Sequence, residues 1–431
     1  MKSSQTMAGR QRLKGHHRLV GLLLALLVLG GGLQAMPSNA DPISAQVAPN
    51  EYLVKFVPGT RIGQREAAVQ ELGGQLVDRI GQLDVDLVRF PQAGQPGSVQ
   101  AAGDVVGTFE QHPLVEYIQP NYVYAVSEAG PRKAYLPLVI TPGAVLPNDP
   151  SLNLQYAWGR LDAIKGWSYD TGSQAVVAIV DTGIQLNHPD LQGKILPGYD
   201  FVDDDRSADD TFQGHGTHVA GIVGAVTNNG IGVAGTCPKC KLMPVRVLNS
   251  SGGGNSGDVV KGIVFATDNG ADVINLSLGG REDDQTLAAA VKYAWNKGVF
   301  VACAAGNDGD YGNPINYPAY YDACEAVGAT NADDSHARYS EYGRWVDIVA
   351  PGTGIYSTYK NSSYAAFSGT SMATPFVAGV AGLLAGQGLT NQQIRDRIRQ
   401  TADQIPGTYP YYSGTTYWSN GRLNLARALR P

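Results

Sequence analysis

The chain has 431 residues, enough for two or three domains and for a core that needs neither a metal nor a disulfide merely to fold. Its formal net charge of −6, with 16% charged residues and no basic stripe, argues against a nucleic-acid partner. The 54 glycines follow no Gly-X-Y period, which excludes a collagen-like fibre and implies many tight loops.

Residues 1–40 read as a secretory signal peptide. Lys2, Arg10, Arg12, Lys14 and Arg18 precede the apolar run Leu19 to Leu29, and small and polar residues follow up to Ser38-Asn-Ala40, the preferred cleavage point. The run is too short to span a bilayer comfortably, so the expected product is secreted and extracellular, with no membrane association after cleavage. Export changes the reading of the four cysteines. In an oxidising compartment an even count favours disulfides, and the preferred pairs are Cys237–Cys240 and Cys303–Cys324. A four-thiolate zinc site is the rival, with only one Cys-x-x-Cys to support it.

Residues 41–127 have a texture of their own. Glu51 to Val57 and Leu83 to Phe90 alternate like strands, Gln64 to Leu72 has helical spacing, and a second helical piece precedes the strand-like Val115 to Tyr124. That β-α-β-β-α-β order predicts a small α+β, ferredoxin-like sheet with two helices on one face. Residues 128–147 have the Gly/Pro composition of a linker. From 148 to 431, apolar strands at 175–180, 241–247, 272–276, 299–302 and 346–350 are separated by helical stretches such as 258–269 and 286–297. Such strands between helices predict an α/β fold whose parallel sheet carries helices on both faces, with chemistry at the carboxyl ends of the strands.

Polar residues stand at those ends. Asp181 follows directly on the run 175–180; His215 opens an Ala/Gly-rich helix in Gly214-His-Gly-Thr-His218; Ser371 lies where Gly369-Thr-Ser-Met-Ala-Thr-Pro375 turns into a second thin helix. A serine at a helix N-terminus is commonly only a cap. With a histidine and an aspartate to hand, it can instead be a nucleophile whose proton the imidazole takes while the carboxylate fixes the tautomer. Asn307, after the strand ending Ala302-Cys-Ala-Ala-Gly306, is the candidate second donor to an oxyanion. His218 reads as a hydrogen-bonded structural residue. Asp-Thr-Gly occurs at both Asp170 and Asp181, which raises an aspartic-protease reading, but a shared-proton dyad needs two loops from separate lobes.

The blocks Val180-Asp-Thr-Gly183, Gly214 to His218 and Gly369 to Pro375, in that order, resemble the subtilisin-like serine proteases, and region 148–431 is most similar to their thermitase-like members. The resemblance implies that Asp181, His215 and Ser371 are orienter, base and nucleophile, and that Asn307 is the oxyanion donor. It implies that Ser277, Leu278 and Gly279 form an edge pairing with extended protein and peptide substrates, with broad tolerance of sequence. Ala304, Ala305 and Gly306 would line one wall of the primary pocket, with a preference for apolar or aromatic side chains before the cut bond. Segment 41–127 resembles the family's inhibitory, fold-assisting propeptide, an intramolecular partner removed by self-cleavage, leaving a monomer. Calcium is the implied cofactor. Asp149, Asp190 and Asn229 match one site, with carbonyls near Val226, Ile231 and Val233; Asp200, Asp203 and Asp205 match a second. Phe376 and Val219 depart from the family pattern, Phe376 standing where a histidine is usual and Val219 where thermitase-like members carry a cysteine. An exported, non-catalytic binding protein on a protease scaffold is the alternative reading.

Overall fold

A computed structural model describes residues 47–90, 105–107, 109–126, 145–172, 175–210, 213–405 and 417–430. The expected signal peptide and most of the expected linker lie outside them. Residues 45–431 form one compact unit.

The centre is a seven-stranded sheet. In chain order its strands are β5 (Val176–Asp181), β6 (Tyr199–Asp200), β7 (Lys241–Arg246), β9 (Val273–Leu276), β11 (Phe300–Ala304), β12 (Glu325–Thr330) and β13 (Ile348–Pro351), and their spatial order is 13-12-11-9-5-7-6. All of these pairings are parallel. Alternation along β5 shows why the strands must be apolar on both sides. Val177 and Ile179 enter one core, whereas Ala178 and Val180 enter the other. The first core holds the helices α2 (His215–Gly224) and α5 (Thr370–Gly386). The second holds α3 (Ser256–Asp268) and α4 (Gln285–Asn296).

Helix α5 runs buried beneath the sheet, and its small residues permit that approach. A β-carbon at Gly382 would stand 3.1 Å from Cγ2 of Val177 in β5. Pro375 lies inside the helix, beyond its first turn, as the sixth residue counted from Thr370. Its missing N–H would have bonded the Ser371 carbonyl, four residues back. That carbonyl instead accepts from Ser277 Oγ at 2.9 Å.

The N-terminal segment forms β1 (Val47–Phe56), α1 (Ile62–Glu71), β2 (Gln75–Ile80), β3 (Val85–Arg89) and β4 (Val115–Val126), in an antiparallel sheet ordered 4-1-3-2. Residues 105–107 are helical, and the rest of the second expected helix lies partly outside the described residues. One face of this sheet packs on α1 through Tyr52, Val54, Phe56, Ala68 and Val69. The other face, with Leu53, Val85 and Leu87, belongs to the same core as α3 and α4. The strand β4 is long enough to do two jobs. Its first half pairs with β1, and its end passes between β8 (Gly253–Asn255) and β10 (Leu278–Gly279).

Side chains of the same segment reach two helix N-termini. Asn121 Oδ1 accepts from Gly257 N at 2.8 Å, and Gln119 Oε1 accepts from Gln285 N at 3.1 Å. Two features escape a reading by periodicity. The strand β12, Glu-Ala-Val-Gly-Ala-Thr, has small residues and a charge that blur its apolar run, yet all six residues are buried. The hairpin of β14 (Ile355–Tyr359) and β15 (Ser363–Phe367) turns through Asn361 and Ser362, both at positive φ.

Candidate active site

Asp181 is the last residue of β5 and is fully buried. Helix α2 begins at His215, and a β-carbon at its second residue, Gly216, would stand 2.1 Å from Gly183 O. Glycine there lets the helix mouth close on the strand end. The result is a 2.7 Å contact between His215 Nδ1 and Asp181 Oδ1, with both side chains buried. Thr182 N donates to the same oxygen at 2.7 Å, and Thr182 Oγ1 accepts from Gly216 N at 2.9 Å.

Asp210, not singled out in the sequence, braces this arrangement. Its Oδ1 accepts from Gly214 N at 2.8 Å, and its Oδ2 accepts from the N–H and the hydroxyl of Thr217 at 3.0 and 2.9 Å. Burial raises its carboxyl from the usual value, against those hydrogen bonds. No sequence signal separates Asp210 from its neighbour Asp209; only the fold buries one of them. His218 behaves as expected. Its Nε2 lies 3.1 Å from Ile355 O and 3.0 Å from Ala365 O, and burial lowers its pKa to about 3, so the ring is neutral.

Ser371 is the second residue of α5, which packs against α2. Its hydroxyl donates to Ser277 O at 2.9 Å, while Ser277 Oγ donates to Ser371 O at 2.9 Å. Asn307 is held from the same helix start: its Oδ1 accepts from Thr370 N at 2.9 Å and Thr370 Oγ1 at 3.2 Å. The acceptor end of the amide therefore faces Thr370, and the donor end faces the other way. Of the four expected catalytic residues, Asp181 and His215 touch directly, and Asn307 and Ser371 meet through Thr370. Asp170, in the other Asp-Thr-Gly, bonds Gly172 N at 2.8 Å and Gln387 Nε2 at 3.0 Å, far from the geometry a shared-proton dyad needs.

The stretches 277–279 and 304–306 lie near this centre. Leu278 and Gly279 pair antiparallel with Val126 and Ala125, while Tyr124 and Ala125 pair with Gly254 and Gly253 on the other side. Val126 N donates to Gly252 O at 2.9 Å. The tail of the N-terminal segment thus lies as the middle strand of three. Ala304 ends β11, its carbonyl accepting from Asn316 Nδ2 at 3.0 Å, and Ala305 N donates to Val327 O at 2.9 Å.

Among the expected calcium ligands, Asp149, Asp190 and Asn229 come together. Asp190 Oδ1 accepts from Asn229 Nδ2 at 2.7 Å, and its Oδ2 accepts from Val233 N at 2.8 Å. Asp149 accepts from Asn228 N and Asn229 N at 3.1 and 3.4 Å. Burial pushes the Asp190 carboxyl up to about 6, and the charge of Asp149 adds to that. Burial raises the Asp149 carboxyl as well, and two buried carboxylates of this kind suit a hard cation. Asp200 and Asp203 differ: the Arg246 guanidinium lies against both of them. Asp205 turns away to bond Ser207 N at 2.7 Å. A single arginine thus offsets part of the charge of that second set of three carboxylates. No group of three or more His, Cys, Asp or Glu that could hold a metal occurs among the described residues.

Both preferred disulfides are present, with Cα–Cα distances of 5.4 Å for Cys237–Cys240 and 5.9 Å for Cys303–Cys324. Phe376 is buried with its ring edge-on to Trp158, the centroids 5.3 Å apart. Val219 is likewise fully buried. Both departures from the family pattern are core residues here. No helix among the described residues is long and apolar enough to cross a membrane.

Comparison with known proteins agrees with this geometry. A model described as the subtilase family matches residues 172–424, and one described as the fervidolysin N-terminal prodomain matches residues 34–121. Thermitase of Thermoactinomyces vulgaris is 52% identical over 285 residues, covering 66% of this chain and 99% of thermitase. A thermophilic serine proteinase of Bacillus sp. strain AK1 is 41% identical over 391 residues, covering 88% of this chain and 87% of its own. Among solved structures, fervidolysin from Fervidobacterium pennivorans superposes with a TM-score of 0.75 at 24% identity, over 90% of this chain and 61% of its own.

Proposed function

The chain belongs to the subtilase family of serine endopeptidases, and from that premise we propose that Ser371, His215, Asp181 and Asn307 carry its chemistry. Ser371 Oγ attacks the acyl carbon of a peptide bond, and His215 Nε2 takes the hydroxyl proton and passes it to the leaving amine. Asp181 holds the imidazole by Nδ1 and stabilises the imidazolium. The oxyanion accepts from Ser371 N–H and from the Asn307 amide. Water then repeats the sequence on the acyl-enzyme. The observation that carries this reading is the buried 2.7 Å contact of His215 with Asp181, beside a helix whose second residue is Ser371.

The substrate would bind as a strand between 253–255 and 277–279, through backbone hydrogen bonds that every peptide offers, which favours broad specificity. The chain's own segment 41–127 already lies that way, which supports a self-inhibited precursor. Ala125 stands opposite Gly279 and Val126 opposite Leu278. Leu278 adjoins Ser277, whose carbonyl the Ser371 hydroxyl touches, so the described strand ends beside the nucleophile proposed above. The first self-cleavage is therefore expected past Val126, within the stretch that the sequence reads as a linker.

Asp149, Asp190 and Asn229 are the residues that would hold calcium, whose part is to neutralise buried carboxylates and fix the loop 225–233. Release to the extracellular medium as a monomer completes the proposal. Substituting Ser371→Ala tests it. The expected result is loss of casein hydrolysis together with persistence of the uncut precursor; processing at a normal rate would refute the assignment.

A further inference from the structure

The two stretches expected to flank the substrate's primary side chain are joined just past their ends. Arg281 lies two residues beyond Gly279, Asp308 two beyond Gly306, and Arg281 Nη2 meets Asp308 Oδ2 at 2.7 Å. Glu341 adjoins this pair and is only 2% exposed. Its N–H donates to Gly306 O at 3.1 Å. Its carboxyl presses on Gly306, where a β-carbon would stand 2.4 Å from Oε2. Gly306 has φ +113, so both backbone conformation and space demand glycine in this wall. Two buried atoms here, Glu341 Oε2 and Arg281 Nε, have no hydrogen-bond partner among the described residues. A buried acceptor and a buried donor left unpaired at a pocket wall are costly unless something that visits the pocket meets them.

We propose that Glu341 is a specificity-determining residue of the primary pocket: neutral, it leaves the pocket suited to apolar side chains, and ionised, it receives a guanidinium or ammonium group. The choice of residue before the cut bond then changes with pH. This rests on the reading of residues 304–306 as a pocket wall.

The charges that face Glu341 fix the sign. Burial pushes its carboxyl up to about 9 and the Asp308 charge adds to this, while Arg281 and the Asp308 N–H oppose it. On its own segment, Arg338 pairs with Asp310 at 3.3 Å in an exposed position. His336 is kept neutral because burial lowers its pKa to about 4. The start of α5 offers only Thr370, which does not titrate. At neutral pH, Arg281 cancels Asp308 and Glu341 carries no charge. Above about pH 9 the cluster gains one negative charge, which attracts a cation and is disfavoured by an apolar ring.

The test uses the matured enzyme and two chromogenic peptides that differ only in arginine or phenylalanine before the cut bond. Arginine keeps its charge throughout. Between pH 7 and 11 the ratio of kcat/KM for arginine over phenylalanine should rise by about tenfold, and in Glu341→Gln it should stay flat. Arg281→Gln removes the cation favouring ionisation, so its rise should move to higher pH; this comparison decides alone if Glu341→Gln does not mature. A flat wild-type ratio, an unchanged rise in Glu341→Gln, or coincident wild-type and Arg281→Gln curves would overturn the proposal. Failure of the wild type to cut either peptide would sink the proteolytic reading beneath it as well.

Discussion

Ser277 and Ser371 bond each other twice: each hydroxyl donates to the other's carbonyl, and both contacts are 2.9 Å. The exchange follows from Pro375, which cannot supply the N–H that the Ser371 carbonyl would otherwise receive. The helix that carries Ser371 is thereby tied to the edge 277–279, where substrate is proposed to pair. Ser277→Ala strips one of these bonds and leaves a buried carbonyl bare. A loss of about 1–3 kcal/mol is expected, measured by denaturant unfolding in a His215→Ala background to avoid self-digestion.

Thr370 grips Asn307 by its acceptor end, so the amide's donors have a fixed direction before substrate arrives. Asn307→Ala should lower kcat by about a hundred- to a thousandfold with little change in KM. Thr370→Val removes the hydroxyl grip on Asn307 together with the acceptor for Gly306 N, keeps the Thr370 N–H contact, and should show a smaller fall, again in kcat. An Asn307→Ala enzyme whose KM rises while kcat holds would show that the amide binds ground-state substrate instead.

Asp149 and Asp190 are buried near one another, whereas Asp200 and Asp203 are met by Arg246. A chelator should therefore lower the melting temperature of the matured enzyme, and Asp190→Asn should remove most of that sensitivity. Asp203→Asn should leave the chelator response intact. A melting temperature indifferent to chelation would refute the calcium role.

The Cys303–Cys324 bridge spans 21 positions and the Cys237–Cys240 bridge only 3. Closure of the longer loop takes more entropy from the unfolded chain. Replacing Cys303 and Cys324 together by alanine should cost about 3 kcal/mol; replacing the other pair should cost less, by chemical denaturation under identical conditions.

Glu341 also affects stability. Its folded carboxyl titrates at about 9, against the usual 4.5, so across that window the unfolded chain releases a proton that the folded chain keeps. Stability attributable to this group is full below about pH 4.5 and falls as pH rises towards 9. Melting temperatures of Glu341→Gln should depend less steeply on pH in that range than those of the wild type.

The sequence made much of this readable, because the α/β pattern rests on strongly apolar runs such as 175–180, and Asp181, His215 and Ser371 each sit at a change of texture. The strand β12 was harder, its Glu325 and Gly328 interrupting an otherwise small, apolar stretch. Asp210 and Glu341 were invisible for a different reason. Acidic residues usually face solvent, and only tertiary packing buries these two against Gly214 and Gly306. The Arg246 contact with Asp200 and Asp203 joins residues more than forty positions apart, which no local acidic cluster could announce.

The tail Val123–Val126, seated as a middle strand, would change its thermodynamic character on the proposed cut after it. Before the cut it competes at the high effective concentration of a tethered ligand. Afterwards it is a separate molecule held by mass action, so occupancy of the groove falls as the solution is diluted. Crowding near the producing cell would keep the groove filled, and diffusion away would empty it. Distance travelled would then act as the timer for activity.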